Sequence, residues 1–375
     1  MYNASKNHVK YARKITKFDT MNYHVLESME DLVRVSSPEG HTVFENSVMK
    51  QAKEDEMLVD AITRSQNSAL SEFSKDLNTR IKKEVEVGDK VYSLNISSVF
   101  DDNNNHIGYV EVFRDITYDS LIRSELIRMR NKTEDDIGLA KNIQKSILPT
   151  LSSFKNVGFQ YGHVASEQLS GDIFDVILID KDRLGIYIAD VVGHGISASI
   201  MTMFIRETMR NILAEHPSFG ASETVMEIKK RFGLLKLDAS QYFTLVYAEI
   251  DTLNNKLTYV NAGHNATPIM FNDSKVAMMS NRGRFISNIF PDMEYKEKTL
   301  DLIPGDSYLF YTDGLLETTD VHGEFFGVEK LMKWIDKNKK EERIVNKLIR
   351  DVNSYRWLEQ KDDIAILYIN IEGEK

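Results

Sequence analysis

Between residues 170 and 371, four apolar runs each meet a carboxylate at a corner, and this recurrence constrains the fold more than any other feature of the chain. Ser170-Gly171-Asp172 opens a run through Val176-Ile177-Leu178-Ile179, and Leu184 to Ala189 runs into Asp190-Val191-Val192-Gly193-His194-Gly195. Ser307 to Tyr311 is delivered into Thr312-Asp313-Gly314, and Asp362-Asp363 precedes Ile364 to Ile371. Short apolar runs bounded by Gly and Asp read as buried strands, with a helix predicted from about Ile196. Carboxylates gathered at one sheet edge repel each other and raise one another's pKa unless a cation neutralises them. The chain has no cysteine and few candidate histidines, so the ligands are hard oxygens. Such a set points to Mg²⁺ or Mn²⁺, and four separate corners favour two ions. A single Asp-Gly pair is an ordinary turn; the joint order of the corners carries the metal reading.

Zero cysteine also excludes disulfide scaffolds, thiolate zinc sites and every hydrolase with a thiolate nucleophile. With 47 Lys and Arg against 57 Asp and Glu, the net charge is −10 over 375 residues. No long basic block is present, which argues against a nucleic-acid partner. Met1 to Lys14 lacks the apolar core of a signal peptide, and no apolar run is long enough to span a membrane, so the expectation is a cytoplasmic protein with no membrane partner. The length predicts two or three domains.

After an extension over 1–20, residues 21–118 read as a mixed α/β unit. Asp31 to Val35 and Thr42-Val43-Phe44 are predicted strands around the turn Ser37-Pro38-Glu39-Gly40, and a mostly helical stretch runs from Val48 to Lys82. Val91 to Phe100 alternates with period two, and Asp101 to Asn105 turns it into a second strand over Ile107 to Phe113. With Glu39-Gly40, Asn46 and the ending "GYVEVFRDIT" (Gly108 to Thr117), this segment resembles a PAS sensor domain. His41 and His106 lie in or beside predicted turns, where a solvated histidine is the commoner case, so no PAS cofactor is assigned.

Residues 119–149 read as a helical linker. Ile122, Leu126 and Met129 have heptad spacing. Thr133 with Asp136 fits a capping box that restarts the helix, after which Ile137, Ala140, Ile143 or Gln144, and Ile147 form a new stripe ending at Pro149. Two readings stay open: an amphipathic helix packed on the following domain, or a signalling helix paired with its copy in a homodimer.

From residue 137 to 371 the chain resembles the PPM-type (type 2C) metal-dependent serine/threonine protein phosphatases, in the bacterial branch of stage II sporulation protein E and the stress-response regulators. The resemblance rests on "LAKNIQKSILP" (Leu139 to Pro149), "SGDIFD" (Ser170 to Asp175), "IADVVGHG" (Ile188 to Gly195), "YVNAGHN" (Tyr259 to Asn265), "LIPGDSYLFYTDGLLE" (Leu302 to Glu317), "FFG" (Phe325 to Gly327) and "DDIA" (Asp362 to Ala365). It implies an α+β chain whose residues 150–375 form an α-β-β-α sandwich with two Mn²⁺ or Mg²⁺ ions at one end. It further implies Asp172 and Asp190 as shared metal acids, the Val191 carbonyl as a main-chain ligand, and Asp313 with the Asp362-Asp363 pair completing the set, Asp362 preferred for the metal. His194, Asn261 and His264 are substrate-side candidates, each with a structural turn role as the alternative. The segment departs from the family where Ala266-Thr267-Pro268 replaces paired prolines and Arg284 to Asn288 replaces a Leu-Gly. The implied reaction is hydrolysis of phosphoserine or phosphothreonine by a metal-activated water, and the implied partner is a phosphorylated anti-anti-sigma (STAS-type) protein. The rival readings are a non-catalytic phosphoprotein-binding regulator of the same fold and a hydrolase of small phosphate esters.

Overall fold

A computed structural model of the chain describes residues 18–73, 80–166, 168–290 and 293–373. The architecture is α+β and divides into two compact units, Met1–Lys132 and Thr133–Lys375.

In the first unit α1 (Phe18–Glu27) leads into β1 (Leu32–Ser36) and β2 (Thr42–Glu45), then α2 (Ser47–Ala52), α3 (Glu56–Phe73), β3 (Ile81–Val87), β4 (Lys90–Phe100) and β5 (His106–Asp115). The strands make one antiparallel sheet in the order β2-β1-β5-β4-β3. Leu32, Leu94, Ile96 and Phe113 meet Met49, Leu58 and Ile62 from the helices in a single core. Asn46, fully buried, ties the corner together: its Oδ1 accepts from Met49 N at the start of α2 and from Val33 N, while its Nδ2 donates to Leu26, Met29 and Asp31 carbonyls. The Arg34–Glu111 ion pair is buried, and Glu111's carboxyl is pushed above its usual range because burial outweighs the neighbouring guanidinium. Gly108 is required where β5 passes β1, since a Cβ there would lie 2.2 Å from the Ser36 carbonyl oxygen.

Two sequence expectations change here. Ile81 and Lys82, assigned to the helical stretch, begin strand β3, and residues 74–79 of that stretch lie outside the described residues. The helix predicted to restart at Thr133 instead runs unbroken as α4 (Thr117–Ser146). A Thr-x-x-Asp word satisfies a helix start, but the same residues are tolerated inside a helix that already has its upstream turn. Ile122, Leu126 and Met129 are exposed, whereas Ile147 and Leu148 just beyond the helix pack on the cores of the second unit.

The second unit stacks two antiparallel sheets between helices. One sheet has the order β14-β11-β10-β9-β8 and the other β13-β12-β15-β16-β7-β6. The first comprises β8 (Asp172–Leu178), β9 (Arg183–Val191), β10 (Phe243–Asp251), β11 (Lys256–Ala262) and β14 (Lys298–Asp301). The second comprises β6 (Ser153–Phe154), β7 (Val157–Val164), β12 (Ile269–Phe271), β13 (Val276–Met278), β15 (Ser307–Tyr311) and β16 (Ile364–Ile371). Helices α5 (Gly195–Glu215) and α6 (Ala221–Leu234) cover the outer face of the first sheet, and α7 (Gly327–Asn338) and α8 (Ile344–Tyr355) that of the second.

Strand alternation decides which side chains fill which layer. Phe174, Val176, Leu184, Ile186, Ile188, Tyr308, Phe310, Ala365, Leu367 and Ile369 point between the sheets, while Ile173, Tyr187, Ala189, Leu309, Tyr311, Ile364 and Ile366 point to the helices. Asp175 falls on the helix side of β8, fully buried, where Arg210 of α5 grips it with Nε at 2.7 Å and Nη2 at 3.0 Å and Arg206 stands at 3.6 Å. Among the described residues, no helix is long and apolar enough to cross a membrane.

Candidate active site

The same alternation brings the acids together. Counting by twos from Phe174, Ile188, Phe310 and Ala365 reaches Asp172, Asp190, Thr312 and Asp363, all on the inner faces. Because β8 and β16 begin where β9 and β15 end, all four emerge at one end of the sandwich. Asp172 and Asp190 are direct partners across β8 and β9. Thr312 donates its hydroxyl to Asp172 Oδ2 at 2.6 Å, joining the two sheets. Asp313 opens a 3-10 turn (Asp313–Leu315), and its Oδ2 accepts from Asn265 Nδ2 at 2.9 Å. Gly314 has to be glycine: a Cβ there would lie 2.0 Å from the Asp363 carbonyl oxygen, so the close approach of the two loops depends on it.

The two adjacent acids differ. Asp363 is buried, and both its oxygens are engaged, Oδ1 by Ser166 N (2.7 Å) and Oγ (2.8 Å) and Oδ2 by Gly171 N (2.6 Å). It fastens the loop before β8 to the start of β16. Asp362 accepts through Oδ1 from Asp363 N.

The electrostatics are those of anions crowded without counter-charge. Burial, then Asp190, Asp363 and Asp362, drive the Asp172 carboxyl well above its ordinary value against the opposing Thr312 hydrogen bond. Burial together with Asp313, Asp362, Asp363 and Glu317 pushes Asp190 up to about 7. Asp362 is pushed up to about 6, again by burial first, then Asp313, Asp363 and Glu317. Among the described residues none of these carboxylates forms an ion pair with Lys or Arg.

These residues fit hard divalent cations in a particular way. Every donor is an oxygen, and the repulsion that raises the acids is what a cation relieves. No three His, Cys, Asp or Glu among the described residues close up as a ready ligand group. The fit is therefore to ions whose shells these carboxylates fill only in part, with water completing them.

Two of the substrate-side candidates take part in the structure of the turn itself. His264 is buried, with Nε2 at 2.9 Å from the Tyr311 carbonyl and Nδ1 at 2.8 Å from Thr244 Oγ1. The carbonyl can only accept, so Nε2 carries the proton and Nδ1 accepts from Thr244. Burial also lowers this imidazole's pKa, which keeps it neutral. Asn261 is likewise buried and closes the turn onto His264, accepting from its N at 2.7 Å and donating to its O at 2.9 Å. Both are buried and hold the turn that presents Asn265 to Asp313, the structural alternative named for them. His194 is exposed at the N-cap of α5, and Val191 ends β9 immediately after Asp190.

Three participants escaped the sequence reading. Glu317, four residues after Asp313, joins the acidic group and is itself raised by burial and by Asp313. Thr312 supplies the only hydroxyl donated to the Asp172 carboxylate among the described residues. Gln144, buried on α4, accepts from Ser170 N at 3.0 Å and donates to Ser170 O at 2.7 Å, gripping the main chain two residues before Asp172.

Comparison with known proteins agrees with this construction. The chain is 30% identical over 193 residues to the phosphoserine phosphatase RsbP of Bacillus subtilis, a match covering 50% of this chain and 46% of that protein. It is 27% identical over 216 residues to the phosphoserine phosphatase RsbU of the same organism, covering 56% and 62%. The chain thus spans about half the length of the curated relatives it matches. Among solved structures, the SiaA PP2C domain of Pseudomonas aeruginosa superposes with a TM-score of 0.58 at 21% identity, covering 65% of this chain and 99% of that one. The RsbU and RsbW domains of Rv1364c from Mycobacterium tuberculosis give 0.52 at 20% identity, covering 61% and 64%. These two likenesses show the PP2C-type sandwich fold. The profile of the stage II sporulation protein E family matches residues 180–372, more than half of the chain, and the chain belongs to that family.

Proposed function

We propose that the chain is a metal-dependent protein phosphatase that removes phosphate from phosphoserine or phosphothreonine. The observation that carries this is the set of carboxylates from four strand ends, without a Lys or Arg ion-pair partner among the described residues, in which burial and the neighbouring acids raise the pKa of Asp172, Asp190 and Asp362. The likeness to RsbP and RsbU, both phosphoserine phosphatases, supports the same reading. Asp172, Asp190, Asp313 and Asp362, with the Val191 carbonyl, would hold two ions, Mn²⁺ or Mg²⁺, and Asp363, proposed from the sequence as a further ligand, has both oxygens engaged in holding the loops. When bound, such ions supply a water of lowered pKa and neutralise charge on phosphoryl oxygens. In the net reaction the water oxygen joins phosphorus, the ester P–O bond breaks, the seryl oxygen takes a proton and inorganic phosphate leaves.

The chain's own residues do the positioning. Thr312 orients the Asp172 carboxylate, Asn265 orients Asp313, and Asp363 locks the two loops that set the distance between them. Preorganised oxygens matter because small misplacement of ligands costs much of the rate. We further propose a PAS-like sensor in residues 21–118, compatible with the antiparallel sheet and its covering helices. A homodimer formed through that unit and the exposed apolar positions of α4 belongs to the same reading, as does a phosphorylated anti-anti-sigma substrate of a partner-switching pathway. Gln144 gives such a sensor a handle, since any shift of α4 pulls on the Ser170 main chain.

The test is phosphate release with Mn²⁺ from a serine-phosphorylated STAS-domain protein and from p-nitrophenyl phosphate. Asp313→Asn should reduce both activities by about a hundredfold to a thousandfold, the scale of losing a charge-stabilising group. Undiminished turnover in that variant would refute the metal reading.

A further inference from the structure

One edge of the site is built differently from the rest. The segment after α8, Arg356 to Lys361, leads into Asp362 and shares a shallow depression with Gly314, Glu317 and Asp362. It is well anchored. Trp357 N donates to Thr319 O at 3.0 Å, Gln360 Nε2 donates to Asp362 O at 2.7 Å and to Val164 O at 3.3 Å, and Arg356 donates to Gln360 Oε1. Yet this fixed segment exposes large apolar side chains: Trp357 is 65% exposed and Leu358 58%. The chain's other tryptophan, Trp334, is half-buried with its Nε1 donating to Asp351. Thr319, which holds Trp357, pairs with Phe325 in a short hairpin, and Phe325 is 59% exposed as well. A single exposed apolar residue needs no explanation, but Trp, Leu and Phe gathered on rigid backbone beside an active site mark a recognition surface.

Charge indicates what covers it. Among the described residues neither Arg356 nor Lys361 forms an ion pair, although both line the depression that contains Asp362 and Glu317. Glu359 lines the same depression and Arg356 donates to Gln360 Oε1, so Lys361 and the remaining donors of Arg356 are what an anionic partner meets at the rim of this acidic cleft. The apolar residues extend the surface beyond the reach of a small ester, so the occupant is a macromolecule that brings its anion to the metals. We propose that the exposed Trp357, Leu358 and Phe325, together with Arg356 and Lys361 of the adjoining depression, form the docking surface for the folded body of the phosphoprotein substrate. This rests on the phosphatase reading above and names the residues by which that site selects a protein over a free phosphate ester.

The test uses the full chain with Mn²⁺ and compares the parent with Trp357→Ala, Leu358→Ala and Phe325→Ala. Substrates are p-nitrophenyl phosphate and a serine-phosphorylated STAS-domain protein, with light scattering on each variant. Trp357→Ala should leave kcat/KM for the small ester within about twofold while lowering that for the phosphoprotein by about tenfold or more, through KM, as loss of an interface anchor does. Leu358→Ala and Phe325→Ala should fall in the same direction by less. Equal losses on both substrates, or none on the phosphoprotein, would overturn the proposal. So would conversion of an oligomeric parent to monomer, which would make the patch a contact between copies. A parent active on the small ester alone overturns the docking surface and leaves the enzyme standing, whereas a parent inactive on both removes the function beneath it.

Discussion

Thr312 exerts its effect through one oxygen atom. Its Oγ1 donates to Asp172 Oδ2 at 2.6 Å and accepts from Ala365 N at 2.9 Å. Valine would keep the shape and leave a buried carboxylate and a buried amide each short of a partner. Thr312→Val should therefore lower stability by about 1–3 kcal/mol, the penalty for unsatisfied buried groups, raise the Asp172 pKa further and shift the metal dependence of turnover to higher Mn²⁺. Unchanged half-saturation in that variant would deny Thr312 its orienting role. Asp190 makes the opposite trade. Its carboxyl, pushed up to about 7, is a repulsive charge in the metal-free protein above that pH. Asp190→Asn should abolish phosphate release and, without metal at pH 8, raise the melting temperature, as removal of a strained functional group often does. A fall in that temperature would show the crowding to be relieved by other means. At this scale the sequence displayed Asp172, Asp190, Asp313 and Asp362, because each stands beside a glycine or a strand end. Glu317 and Gln144 were hidden, because their importance comes from what the fold brings near them and not from their neighbours in the chain.

Among the elements, α5 is held on its sheet by an asymmetric ion pair. Asp175 is fully buried, while the side chains of Arg206 and Arg210 are 19% and 38% exposed. Losing Arg210 removes both close hydrogen bonds and leaves the buried anion only Arg206 at 3.6 Å, whereas losing the acid frees cations that reach water. Arg210→Ala should thus cost about 3 kcal/mol, as breaking a buried pair does, and more than Asp175→Asn. Urea midpoints of the two variants decide it, and the reverse order would contradict the burial argument. Since α5 begins just after Asp190, Arg210→Ala should also weaken Mn²⁺ binding. Element boundaries were legible to the degree that burial dictated composition. Ser307 to Tyr311 and Ile364 to Ile371 emerge with the limits read from the chain, because both faces of those strands are covered. Strand β3, Ile-Lys-Lys-Glu-Val-Glu-Val, escaped because it is an edge strand with only Ile81 and Val87 buried, and its exposed Lys and Glu are good helix formers. The break expected at Thr133 failed for a related reason: a local capping word carries no information about whether a helix is already under way.

For the whole molecule, the acidic cleft makes stability a function of pH and metal together. Asp190 and Asp362 have folded-state pKa values of about 7 and about 6, above the ordinary carboxylate value, and Asp172 is raised in the same direction. Groups raised on folding bind protons more tightly in the native state, so their contribution is fully present below about pH 4 and is lost as pH climbs through the folded-state values. The metal-free second unit should therefore lose stability between about pH 5 and pH 8, opposite in sign to the usual salt-bridged carboxylate. Divalent ions require the same oxygens deprotonated, so their stabilisation grows over the interval where the metal-free protein weakens. Manganese at about a hundred times its dissociation constant should add about 2.7 kcal/mol at pH 8 and little at pH 5. Thermal melts of the full chain across this range, with chelator and with Mn²⁺, should diverge as pH rises. Parallel curves would mean that the four corners carry their charge without a cation, and the reading of this end of the sandwich as a metal centre would fall with them.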